Sequence, residues 1–468
     1  MHSILTRRLY PRLPSFRRQG TSWLPVRTLW LTGQSSAPTL HDALTTCRTQ
    51  MQHQANTPQS IFPKFWRCDC ILLVVSADYP SPDLEQLPQW IRQCFDPRVF
   101  AGGVVDRVAM ANGSWSSGVN ILAHVTPSSN ATPAADSDSL PFTLFQMDDT
   151  VMFRRHLKDV QVGRWQRPHR YRRLAEENRT MEWARFQTVS QADNAVELPT
   201  TLDHLQRTSR PPAFFLFADH EPYQIVQKLN QQFPESNKYG VLTTATPFLN
   251  GRPYTLFHND GIQSNGLVGV AFDPRHIAFP GQIHHPQLAP LGTPLAIARC
   301  RGNVVLEFGK DNDPRTLASL LRTTTPVYQD KSARLYAGIL RTDNPPDERA
   351  ELGVYQIIGG DPVKGTIVLD TVQELQPGQY IQLYHTPPPP AHTAVTTSGS
   401  CSDIAVTLRA IDSESDSMDA NQGRHSNSST NPRCFGAATT KGFIYGQHAL
   451  DCAVPESFIT LDIHSDFS

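Results

Sequence analysis

The stretch that most constrains this chain is residues 211–272, where a buried-strand pattern leads into a helix and then into closely spaced turns. Residues 213–218 read Ala-Phe-Phe-Leu-Phe-Ala behind two prolines, an unbroken apolar run that suits a strand covered on both faces. Pro222 stands where a helix tolerates proline, and Ile225, Val226, Leu229 and Phe233 then fall on one helical face. Three short apolar runs follow at 241–245, 254–258 and 267–272, divided by Asn250-Gly251, Asn259-Asp260-Gly261 and Asn265-Gly266. Asn-Gly and Asp-Gly supply the positive φ that tight hairpins require, so the stretch predicts a strand–helix–meander unit.

The same order of features occurs earlier. The apolar run 70–76 ends at Ala77-Asp78, as 214–217 ends at Ala218-Asp219. Leu84, Leu87, Ile91 and Phe95 follow at helical spacing, Gly102-Gly103 stand where Gly240 stands, and 118–123 answers 266–271. This order reads as an internal duplication of 66–125 in 211–272, within an N-terminal domain at 62–280. Beyond residue 290 the pattern turns to strands, at 295–300, 304–308, 335–340, 354–358, 366–369 and 380–384, with one helix opened by Asp313-Pro314. The expected fold class is therefore mixed α/β: two related strand–helix–meander units, then a sheet-rich C-terminal domain at 290–461.

Composition narrows the partners. The 468 residues carry 42 Lys plus Arg against 43 Asp plus Glu, so binding nucleic acid through a strongly basic whole is disfavoured. No apolar run approaches the roughly 20 residues of a membrane-spanning helix. The eight cysteines show no paired C-x-x-C spacing and read as reduced thiols, and neither metal nor cofactor is indicated. Residues 1–41 hold six arginines and no acid before Asp42, the composition of a mitochondrial transit peptide. The matrix is the expected compartment, the cytoplasm the alternative, and 42–61 reads as a linker or a short helix. The basic insert 154–173 could dock an acidic partner, a phosphate or RNA. A solvated face balanced by Glu176, Glu177 and Glu182 explains it more simply. The polar insertions 387–400 and 412–431 read as disordered.

Reactive constellations are scarce. Asp219-His220-Glu221 closes a buried strand, where open sheets place ligands, yet a strand-to-helix turn accounts for the same residues. His284-His285 point apart on an extended chain, and no serine sits in a G-x-S-x-G elbow. Gly102-Gly103 and Gly359-Gly360 could let a ligand approach the backbone or could serve tight turns.

Taken in order, Gly102-Gly103, residues 254–257 (Tyr-Thr-Leu-Phe) and 266–272 (Gly-Leu-Val-Gly-Val-Ala-Phe) resemble the N-terminal half of a FIST protein (F-box and intracellular signal transduction). Residues 298–308, 353–361 and 375–385 resemble its C-terminal half, with Phe435-Gly436 and 442–445 similar to the closing strand pair. The likeness covers about residues 66–460. It departs from the family at 437–441, Ala-Ala-Thr-Thr-Lys, where an acidic residue is usual. What the resemblance implies is a non-enzymatic sensory module for small molecules such as amino acids. In one branch an F-box precedes the module and makes it a substrate adaptor for a ubiquitin ligase; no F-box stands before Trp66 here. An adaptor with a protein partner is thus one alternative, and a hydrolase using His220 another. Turn position nominates Gly102, Gly103, Asp219, Gly240, Gly359, Gly360 and Asp361 as ligand-binding residues.

Overall fold

The computed structural model describes residues 29–55, 66–127, 142–147, 198–207, 211–219, 222–259, 261–272, 282–309, 334–340, 351–361, 364–371, 373–386, 404–412 and 433–463. Its first part holds β1 (Leu29–Ser35), α1 (Leu40–Ala55), β2 (Trp66–Ser76), α2 (Ser81–Phe95), β3 (Val99–Val105), β4 (Arg107–Ala109), β5 (Trp115–Ser116), β6 (Val119–Pro127) and β7 (Phe142–Met147). A 3-10 helix (Thr200–Arg207) precedes β8 (Ala213–Ala218), α3 (Tyr223–Gln232), β9 (Lys238–Leu242), α4 (Pro247–Asn250), β10 (Leu256–His258), β11 (Gly261–Gln263) and β12 (Leu267–Phe272). Next come β13 (Gln282–His284), β14 (Ala289–Arg301), β15 (Val304–Phe308), β16 (Leu335–Leu340), β17 (Glu351–Asp361), β18 (Thr366–Leu369) and β19 (Tyr380–His385). The last strands are β20 (Ile404–Ala410), β21 (Cys434–Thr439), β22 (Phe443–Tyr445), β23 (Leu450–Cys452) and β24 (Phe458–Ile463).

Alternation along the central strands explains the layering. Cys70, Leu72 and Val74 of β2 face one core, while Ile71, Leu73 and Val75 face α1 and α2. Phe215 and Phe217 of β8 enter the same first core, whereas Phe214, Leu216 and Ala218 pack with Ile225, Leu229 and Phe233 of the α3 region. Both strands are covered on two sides, so each reads as a continuous apolar run. Helix α2 buries Leu84, Leu87, Ile91 and Phe95 and stops at Asp96, whose φ of 45° is left-handed and whose N–H donates to the Arg92 carbonyl.

The expected α/β class is wrong: the protein is sheet-rich. Three six-stranded sheets, β1-β6-β2-β3-β10-β11, β23-β22-β9-β8-β12-β7 and β13-β24-β20-β21-β4-β5, converge on one core, and β14-β15-β18-β17-β16-β19 close a barrel beside them. The expected meander also fails. Strands β8 and β9 lie parallel in the second sheet, but β10 leaves them to pair with β3 of the first, and β12 returns to pair with β8 and β7. The turn residues announced reversals without saying which strand would be the neighbour.

Nor do the N- and C-terminal parts stack one after the other. Strand β21 pairs with β4, and β22 pairs with β9, so late strands complete sheets begun by early ones. The pair expected at 434–445 is split between two sheets for that reason. Within the expected leader and linker the structure places a strand and a helix, the helix being one of the two readings of residues 42–61. Residues 29–35 form an edge strand with Trp30 and Leu31 buried, and residues 40–55 form α1, which buries Leu44, Cys47 and Met51. The helix at Asp313-Pro314, the basic insert 154–173, the insertion 387–400 and all but the first residue of the insertion 412–431 lie outside the described residues.

Candidate functional site at the converging strand ends

Three pairs of neighbouring strands run parallel, β2 with β3, β8 with β9 and β20 with β21. Ligands of open sheets gather beyond the carboxyl ends of such strands. Here strand ends from all three pairs meet. The Thr244 N–H donates to the Val104 carbonyl at 2.9 Å, and the Asp106 N–H donates to the Ala438 carbonyl at 3.2 Å. The Leu242 N–H donates to the Gly442 carbonyl at 3.1 Å, bringing in the turn between β21 and β22.

Polar side chains cap this meeting point. Asp106 Oδ2 accepts from the Thr440 N–H at 2.7 Å, joining the first sheet to the third. Thr243 Oγ1 donates to the Ala218 carbonyl at 2.8 Å, and Thr439 Oγ1 both accepts from the Gly442 N–H at 2.9 Å and donates to its carbonyl at 3.0 Å. Thr244 Oγ1 is buried and makes no hydrogen bond among the described residues. Asp106, Thr244, Thr440 and Lys441 are half-buried, so they line the surface of the cluster rather than its core. The turn after β21 therefore acquires a carboxylate from Asp106, although its own sequence carries none.

The seven nominated residues separate into two places. Gly103 and Asp219 lie at the converging ends. A Cβ on Gly103 would stand 2.5 Å from Thr243 Cγ2, so glycine is what lets β3 and β9 approach. Asp219 is 6% exposed and its Oδ2 accepts from the Gly266 N–H at 2.9 Å, which ties β8 to the start of β12. Gly102 and Gly240 sit further back along their strands. A Cβ there would meet the carbonyl oxygens of Leu73 at 2.6 Å and Leu216 at 2.4 Å, a packing requirement. Gly359, Gly360 and Asp361 belong to β17 of the barrel. His220 and Glu221 lie outside the described residues.

On the barrel, Gly359 and Gly360 line a groove of about 320 Å³ together with Leu291, Ile357, Ile358 and Leu383. Gly360 has φ 130° and a Cβ there would lie 2.2 Å from the Thr366 carbonyl oxygen, so the strand requires glycine irrespective of a ligand. Asp361 pairs with Lys364 at 3.6 Å on the surface.

Strand β9 is also clamped at its other end. Lys238 is fully buried, and its Nζ donates to the carbonyls of Phe233 at 2.7 Å, Ser236 at 2.9 Å and Gln447 at 2.8 Å. Burial pushes this ammonium down to about 8. The cysteines show no disulfide among the described residues, and burial raises the Cys47, Cys68 and Cys70 thiols well above their ordinary range. Among the described residues no group of three His, Cys, Asp or Glu side chains is placed to hold a metal ion. His285 Nδ1 lies 2.6 Å from Ser457 Oγ, away from His284, which stacks on Phe458.

Sequence reasoning passed over Asp106, Thr243 and Thr244 as site residues. The available signal was local for two of them: Asp106 and Thr243 each directly follow a buried apolar strand, as Asp219 does.

The scaffold thus gathers polar groups from three sheets where its parallel strands end. The FIST N domain family model matches residues 69–311, more than half of the chain. The chain belongs to the FIST family, whose domains are sensory and serve signal transduction. The match runs past residue 280 into the first two barrel strands, which fits the interleaving of the two parts. No curated protein matches the chain.

Proposed function

We propose that this protein is a non-enzymatic sensor that binds a small, amino-acid-like metabolite at the converging strand ends and passes the event on as a signal. The carrying observation is the Asp106–Thr440 bond, which places a carboxylate of the first sheet on a turn built by the last strands of the chain. A ligand seated there would touch groups from both parts at once, and its differential affinity for one arrangement would shift their relative population. Half-buried Asp106 and Thr244 offer an acid and a hydroxyl, which suits the ammonium end of an amino acid. Import into mitochondria, carried by the arginine-rich residues before Leu29, completes the reading; a reporter fused to residues 1–28 should enter the organelle, and a diffuse cytosolic signal would count against it.

The binding proposal is tested by a thermal-shift screen of amino acids and related metabolites against the full chain. A true ligand at 100 times its dissociation constant stabilises by about 2.7 kcal/mol. No shift from any member of the amino-acid class would refute the ligand class.

A further inference from the structure

We infer that helix α1 guards the outer edge of β1, sealing a surface that would otherwise pair with β1 of a second copy of the chain. Strand edges expose unpaired backbone groups and invite another strand. Among the six sheet edges of the described residues, β5 has two residues, β11, β13 and β23 have three each, β7 has six, and β1 has seven. The longest edge has no protection in its own sequence. It reads Leu-Trp-Leu-Thr-Gly-Gln-Ser, without charge or proline, and its register with β6 runs from Leu29 to Ser35 without a bulge.

The protection comes instead from α1. The Gln54 amide pairs with Thr32 as a neighbouring strand would: Oε1 accepts from the Thr32 N–H at 3.2 Å, and Nε2 donates to the Thr32 carbonyl at 2.8 Å. One helical turn away, Gln50 Oε1 accepts from the Gln34 N–H at 2.9 Å. Thr32 and Gln34 are the alternate positions whose backbone faces away from β6. Gly33 between them lets the helix come close enough, since a Cβ there would lie 2.8 Å from Cys47 Cβ and 2.9 Å from the Cys47 carbonyl oxygen. A helix held this near, with two glutamines at i and i+4 reaching around to the edge, occupies the Thr32 donor and acceptor and the Gln34 donor that a further strand would use. The same alternate positions are self-complementary across a twofold axis, so the latent partner is another β1, antiparallel.

The test removes the two amides from the full chain as Gln50→Ala with Gln54→Ala, and follows backbone amide exchange and sedimentation. Exchange at Thr32 and Gln34 should speed at least tenfold in dilute protein. Self-association should then set in at a concentration at least tenfold lower than for the unaltered chain. Adding Thr32→Pro, which removes the outward N–H at a position an edge strand tolerates, should return the mass to that of the unaltered chain. Unchanged exchange would overturn the inference, and so would faster exchange with unchanged mass, or association that survives Thr32→Pro. Should the double variant lose its fold, Gln54→Ala alone is followed by the same exchange and mass measurements, and the same outcomes support or overturn the inference.

Discussion

The converging strand ends and the barrel groove offer a ligand opposite kinds of surface. At the strand ends, three sheets contribute polar groups whose positions are fixed by backbone hydrogen bonds, and one hydroxyl is buried without a partner among the described residues. In the groove, a single barrel supplies mostly aliphatic walls, with Ile358 40% exposed at its lip. A small zwitterion entering the groove would shed water for few compensating bonds, whereas the strand ends hold donors and acceptors already oriented. The comparison teaches that a visible hollow and a built polar site need not coincide.

The largest expected contrast is steric. Gly442 at the strand ends has φ 89°, and a Cβ there would lie 1.8 Å from the Cys452 carbonyl oxygen. Gly442→Ala should destabilise by about 3 kcal/mol or more. In the groove a Cβ on Gly359 would meet Val368 Cγ2 at an ordinary 3.8 Å. Gly359→Ala should stay within about 0.5 kcal/mol of the unaltered chain. Denaturant melts of the two variants measure both, and equal losses would remove the difference in packing between the regions.

The next effect concerns the clamp on β9. Lys238→Met takes the ammonium donor away from the Phe233, Ser236 and Gln447 carbonyls and should cost about 2–3 kcal/mol. Amide exchange should loosen around β9 and leave the barrel strands unchanged. The pH dependence has a definite sign. The folded chain releases the Lys238 proton near 8, below the ordinary 10.5 at which the unfolded chain releases it. Within that window the unfolded state binds more protons, so this residue makes stability rise with pH, and Lys238→Met should abolish that slope. A slope that persists in the variant would assign it to other groups.

The smallest effect sharpens the comparison most cheaply. Thr244→Val replaces a buried hydroxyl that has no described partner by a group of the same shape. Stability without ligand should hold or rise by up to about 1 kcal/mol, while affinity falls about tenfold if the hydroxyl serves the ligand. A loss of unliganded stability above that size, measured by thermal melting, would show that the hydroxyl already has a structural role.

Local structure was legible in the sequence, whereas the sheet partners were not. The apolar run at Ala213–Ala218 and the helical spacing of Leu84, Leu87, Ile91 and Phe95 gave the right elements, because burial on two faces or on one stripe leaves a periodic trace. The α/β class failed because β10 and β22 cross to sheets begun elsewhere, and a three-residue strand carries no mark of its neighbour. The site was half legible for the same reason. Gly103 and Asp219 could be nominated from their own turns. Asp106 could be found from its place after β3, but it gains its meaning from Thr440, 334 positions further along the chain, and nothing local announces that partner.

The most direct measurement is calorimetric titration of a metabolite found in the screen into the unaltered chain, Asp106→Asn and Ile358→Asp. Binding that weakens at least tenfold in Asp106→Asn and is unchanged in Ile358→Asp is the predicted result. Binding that survives Asp106→Asn and is lost in Ile358→Asp would place the ligand in the barrel groove and contradict the account.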